Sequence, residues 1–246
     1  MQEDQWSGDL SPEMSRSAPA TTGRLETLTA MSKKQETLSR LYETGVVAVI
    51  RADKPDDLVD VACALAQGGV TIIEITLTVP KALQVIEQAC DQLDGEVLIG
   101  AGTVLDSATT RAAILAGANY IVSPAVRPDV IETCRRYDVP CMPGAMTPTE
   151  VLNAWELGAD VVKIFPAGVG GPGFFKDLKG PFPDIQIMPT GMVNRETAPQ
   201  FIKAGACAVG VGGELAGKPL IAAREFDRIT ENAKAFIELV RKARSH

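Results

Sequence analysis

Residues 160–166 read DVVKIFP. The β-branched run has the look of a buried strand, yet one ammonium, Lys163, sits in its middle. An unpaired charge moved out of water is strongly disfavoured or gives up its proton, so the lysine needs a special place. VVKIFP (161–166) is one of eight such runs. The others are VVAVIR (46–51), TIIEIT (71–76), VLIGAGT (97–103), YIVSP (120–124), PCMPGA (140–145), IQIMPT (185–190) and AVGVGG (208–213).

Segments of helical period lie between the runs, for example DDLVDVACALAQGG and SATTRAAILAGA. Short strands alternating with helices signal βαβ units and a parallel sheet. Eight units spaced by roughly 20–25 residues predict an α/β (β/α)8 TIM barrel, whose sites lie at the C-terminal ends of the strands. The structural rival is a doubly wound open sheet, but no GxGxxG fingerprint follows the first strand. KALQVIEQACDQL reads as a barrel helix with one apolar face. The terminal EFDRITENAKAFIELVRKARSH reads as a final helix with cations in its last turn. Trp155 and Tyr120 read as packing residues.

The chain has 246 residues, a hydrophobic fraction of 46% and a formal net charge of −7. That length fits one barrel domain. The acidic balance leaves no general basic surface for nucleic acid or anionic membrane. Five scattered cysteines with no CxxC pair argue against a disulfide framework or a zinc site and make the cytoplasm the expected location. No run reaches the length of a membrane helix.

Composition changes near residue 30. Residues 1–32 are rich in Ser, Thr, Pro and charge without period, and are expected to form a disordered N-terminal extension. Residues 33–246 are then the barrel domain, opening with a short helix over 34–44 ahead of the first strand. A mis-set start codon, with Met31 as the natural start, is the alternative.

Side chains alternate along a strand, so Val161, Lys163 and Phe165 share a face, as do Ile72, Glu74 and Thr76, and Val47, Val49 and Arg51. If these faces line the barrel, Lys163 and Glu74 enter one interior. One reading is a buried ion pair, which is weak evidence for stability. The sharper one is a catalytic lysine with its acid/base partner. A desolvated lysine is neutral often enough to attack a carbonyl and form a Schiff base. The only histidine is His246, so no His/carboxylate cluster is available for a metal and none is expected. Glycine-rich loops after the seventh and eighth strands, PTGMVN and VGVGGELAG, lead toward helices and suit an anion such as phosphate. Thr76 beside Glu74, and Thr190, Gly191, Met192, Gly212 and Gly213 in these loops, are candidate substrate contacts.

The pieces VVAVIRA, GGVTIIEITLTVP, IGAGTV, YIVSPA, MPGAMTPTE, VVKIFPA, LKGPFPDIQIMPTG and AVGVGG, in this order, resemble the family of 2-keto-3-deoxy-6-phosphogluconate (KDPG) and 2-keto-4-hydroxyglutarate (KHG) aldolases. The resemblance implies a homotrimeric TIM barrel and a class I aldolase, a lyase with no metal or other cofactor, that acts on a small-molecule 2-keto acid. It places Lys163 as the Schiff-base lysine and Glu74 as the general acid/base. Thr103, Pro124 and Phe165 fall where the family packs against pyruvate, and Arg51 would grip the carboxylate. Some members instead carry arginine at the position of Thr78. Two positions depart from the family: Met192 replaces a glycine and Gly213 a serine, and Glu214 stands next to the anion loop. Two rivals stay open. One is a sugar-phosphate epimerase or isomerase that uses Glu74 and Lys163 only to shuttle protons. The other is a catalytically silent binding barrel.

Overall fold

The computed structural model describes residues 31–245, so the expected disordered extension lies outside the described residues except for its last two positions. α1 (Lys33–Thr44) precedes β1 (Val46–Ile50). The chain then alternates through α2 (Leu58–Gln67), β2 (Ile72–Thr76), α3 (Ala82–Leu93), β3 (Leu98–Gly102), α4 (Ser107–Leu115), β4 (Tyr120–Val122), α5 (Pro128–Arg136), β5 (Cys141–Met142) and β6 (Gly144–Ala145). It continues with α6 (Pro148–Glu156), β7 (Val162–Ile164), α7 (Gly171–Lys179), β8 (Ile187–Pro189), α8 (Thr197–Lys203), β9 (Val209–Val211), α9 (Gly213–Ala216), α10 (Lys218–Ala222) and α11 (Phe226–Arg244).

All strand pairs are parallel, in the order β5-β4-β3-β2-β1-β9 and β6-β7-β8. The run 140–145, expected as one strand, is broken at Pro143 into β5 and β6. Proline has no N–H for the ladder, and Pro143 instead gives its carbonyl to the Lys163 amide at 2.9 Å. β5 pairs with β4 and β6 with β7, so the broken strand still bridges the two sheets. On the other side a bridge between Thr190 and Gly210, with Cys207 N–H donating to Ile187 O at 3.0 Å, joins β8 to β9. The eight strand positions therefore close into a ring, and the open-sheet alternative is set aside.

Two apolar clusters show which way each strand faces. Val46, Ala48, Ile50, Ile73, Ile75, Val162 and Ile164 pack outward under the helices. Val47, Ile72, Leu98, Tyr120, Val122, Met142, Val161, Met188 and Ala208 pack together inside the ring. Leu41 of α1 belongs to the inner cluster and is fully buried, which contributes roughly 1.5–3 kcal/mol. α1 thus closes the end of the barrel where the strands begin. Its start is fixed by a capping box: Ser32 Oγ accepts from Gln35 N–H and the Gln35 side chain accepts from Ser32 N–H. Ser32 therefore belongs to the fold and not to the extension. Lys34 pairs with Asp160 at 2.8 Å, and Asp160 accepts the Cys141 amide at 2.9 Å, tying the plug to the strands.

α11 packs on α2 and α8 and completes the outer layer. Trp155, expected to pack, is 39% exposed on α6, because that helix buries Val151 and Ala154 instead. Tyr120 is fully buried.

Candidate active site

Inward parity continues up each strand from the inner cluster. It carries Val47 to Val49, Ile72 to Glu74 and Thr76, Leu98 to Gly100 and Gly102, and Val161 to Lys163. Glu74 pairs in register with Val49 on one side and Gly100 on the other. Lys163 Nζ lies 3.8 Å from Glu74 Oε1, with the two side chains 4% and 0% exposed. Lys163 Nζ also sits 5.2 Å from the centre of the Phe165 ring, within reach of a cation–π attraction.

The pair is built unlike a structural clamp. A buried salt bridge that repays its desolvation has short, charge-assisted hydrogen bonds on both oxygens. Here neither Glu74 oxygen has a hydrogen-bond partner among the described residues. Buried polar atoms without partners are rare and call for an explanation. Proton transfer to a reacting molecule supplies one.

Glycine makes the space the carboxylate occupies. A Cβ on Gly102 would lie 2.0 Å from Glu74 Oε1, and one on Gly100 would lie 2.3 Å from the Tyr120 ring. Neither glycine, nor Tyr120, stands out on sequence reasoning as part of the site. The available signal was the parity of LIGAG, which sets both glycines on the inward face beside Glu74. Burial, and after it the charge on Glu74, pushes the Tyr120 hydroxyl well above the usual phenol range. That hydroxyl also lacks a partner among the described residues.

Above this pair opens a cavity of about 580 Å³, lined by Arg51, Phe165, Thr190, Gly191, Met192, Gly212 and Gly213 among others. Lys163 and Glu74 are not on its wall. Its floor includes Val49, the register partner of Glu74, and Phe165, which the Lys163 amine faces. Arg51 is exposed and has no ion-pair partner among the described residues. Thr190 Oγ1 is buried and has no hydrogen-bond partner among the described residues. Thr76, Thr103 and Pro124 lie off the cavity wall. Thr76 is buried, its hydroxyl 2.8 Å from that of Thr78. Thr103 is half-buried with φ 61°, a left-handed backbone that costs a β-branched residue roughly 1–2 kcal/mol. Pro124 is half-buried, with its carbonyl over Gly144.

The loop after β8 departs from expectation. It does not run straight into a helix: α8 starts at Thr197, and the Asn194 side chain accepts the amides of Glu196 and Thr197 at 3.0 and 2.9 Å. What the loop brings to the cavity wall is Gly191, Met192 and Val193. Met192 adopts φ 59°, beside Gly191 at 89°, and its side chain is 78% exposed against Gly168. Gly212 leads into the single turn of α9. Glu214 shares the mouth with Lys218, whose ammonium pairs with Asp53. Among the described residues no group of three or more His, Cys, Asp or Glu side chains is arranged to hold a metal ion.

Residues 38–232 match the family model described as KDPG and KHG aldolase. The chain is 34% identical over 199 residues to the 2-dehydro-3-deoxy-6-phosphogalactonate aldolase of Escherichia coli K12, covering 80% of this chain and 95% of that protein. It is 38% identical over 168 residues to the 2-dehydro-3-deoxy-phosphogluconate aldolase of Pseudomonas aeruginosa, covering 68% and 75%. Among solved structures, KDPG aldolase from Legionella pneumophila, with pyruvate captured as a covalent carbinolamine intermediate, superposes with TM-score 0.76 at 26% identity, covering 83% of this chain and 98% of that one. With a ring of eight parallel strands, an inward lysine facing an inward glutamate and a family match spanning most of its length, this chain belongs to the KDPG and KHG aldolase family.

Proposed function

We propose that the protein is a class I aldolase that cleaves a phosphorylated 2-keto-3-deoxy sugar acid to pyruvate and glyceraldehyde 3-phosphate through a Schiff base on Lys163. The observation that carries this reading is the enclosed amine 3.8 Å from a carboxylate whose oxygens have no hydrogen-bond partner among the described residues. Lys163 Nζ bonds to C2 of the keto acid and water leaves, giving an iminium cation. The C3–C4 bond then breaks and its electron pair moves toward the iminium, forming an enamine. Glu74 takes the C4 hydroxyl proton as the aldehyde forms, and returns a proton to C3. Hydrolysis restores the amine and frees pyruvate. Acid/base help of this kind contributes typically about 10²–10⁴-fold.

Arg51, exposed at the mouth and without an ion-pair partner among the described residues, is suited to the substrate carboxylate. Thr76, Thr103, Pro124, Phe165 and Thr190 would surround the keto acid, and the backbone at Gly191, Met192, Gly212 and Gly213 would take the phosphate. Relatives named for the gluconate and the galactonate acids match at similar identity, so the C4 configuration is left to assay; hydroxyglutarate is a second candidate substrate. We further propose a cytoplasmic homotrimer, with residues 33–246 as the catalytic domain. Free cysteines and the lack of a helix long and apolar enough to cross a membrane among the described residues agree with that location.

Borohydride treatment in the presence of pyruvate tests the reading. A stable pyruvate adduct mapping to Lys163 is expected. An unmodified Lys163 refutes the Schiff base and favours proton shuttling alone.

A further inference from the structure

Tyr120 is the unexplained group in the barrel. Its ring belongs to the inner apolar cluster, where phenylalanine would fill the same space without a hydroxyl to satisfy. A hydroxyl left without a partner in a dry interior is costly, so its presence needs a reason. The register supplies one. Glu74 pairs with Gly100, and Gly100 pairs with Tyr120, so the two side chains flank a strand position with no side chain of its own. The Tyr120 Cζ and Cε2 atoms lie 2.3 Å from where a Gly100 Cβ would be, and Glu74 leans in the same way over Gly102. Both reach across β3. Both end in atoms without hydrogen-bond partners among the described residues: Tyr120 Oη, Glu74 Oε1 and Glu74 Oε2.

We propose that Tyr120 is a positioning residue for Glu74, its hydroxyl donating through one water to the carboxylate and so aiming the base. The proposal rests on the aldolase reading above. A phenol kept protonated by burial serves as a donor throughout the working pH range. The other titratable groups facing this interior among the described residues are Lys163 on β7, 3.8 Å from Glu74, and, at the mouth, Arg51, Glu214 and Lys218. The chemistry is untouched by Tyr120 itself; it acts through Glu74.

The test is Tyr120→Phe, which keeps the ring over Gly100, together with Glu74→Gln and the double variant. Loss of a hydrogen bond to a charged group predicts kcat for cleavage about 10-fold lower with KM changed less than about 2-fold. Pyruvate is still trapped on Lys163, and in the Glu74→Gln background Tyr120→Phe has less than about a 2-fold effect, because partners in one network do not add. Unchanged kcat with a raised melting temperature would overturn the proposal, as would losses that multiply in the double variant. A fall in kcat matched by lost trapping at Lys163 also counts against it, as general disruption. Failure of the aldolase reading shows separately, as absence of trapping in the wild-type protein.

Discussion

Replacing Gly102 with alanine adds one methyl group and aims it at the base. The Cβ would lie 2.0 Å from Glu74 Oε1, and non-bonded approaches below 3.0 Å to a Cβ are essentially never seen. The carboxylate oxygen must therefore retreat by about 1 Å or turn to another rotamer, and a displacement of about 1 Å at a reacting group is worth about 10²-fold in rate. That factor corresponds to about 2.7 kcal/mol of barrier. Gly102 does not use the left-handed backbone, so alanine adds no backbone strain, and the melting temperature should stay within a few degrees. Pyruvate trapping on Lys163 should survive, because the amine is not displaced. The assay is pyruvate release from the phosphorylated keto acid, followed with lactate dehydrogenase and NADH, against Gly173→Ala as a control in open space on α7. If Gly102→Ala retains activity within about 3-fold of wild type, Glu74 does not act from the position described.

Two further outcomes are expected. Met192→Gly should raise the melting temperature by about 2–4 °C, because relief of a left-handed methionine, roughly 1–2 kcal/mol, exceeds the roughly 0.4–1 kcal/mol of added chain entropy in the unfolded state; a lower melting temperature would contradict the strain at φ 59°. Stability should also fall as pH rises above 9. Burial pushes the Cys90 and Cys207 thiols up to about 11 and about 12, with Asp91 adding to the effect at Cys90, and burial, then Cys207 and Asp160, pushes Tyr42 up to about 12. The folded state keeps protons that the unfolded chain releases near pH 9 for the thiols, so their stabilisation is complete below that value and is lost as pH climbs toward 12. Urea midpoints that stay level from pH 8 to 11, or a fall that Cys207→Ala leaves unaltered, would show that these groups do not carry the effect.

The order of strands and helices was readable from the sequence, because alternation of β-branched runs with helical periods is a local property of the chain. So was the inward aim of Glu74 and Lys163: each sits two residues from an apolar neighbour of the same face, Ile72 and Val161, and a period of two fixes the side. The chain alone did not say that the fifth strand breaks at Pro143 or that Trp155 faces solvent, since both depend on which neighbours are already satisfied. Nor did it show that Met192 takes a left-handed turn. The separation of Nζ and Oε1 depends on how far the strands are staggered around the ring, a quantity set by closure and by no single segment. That stagger brings Gly100 and Gly102 beside Glu74 and carries the Tyr120 ring across β3. Parity along a strand belongs to the sequence, whereas distance across the barrel exists only once all eight strands have met.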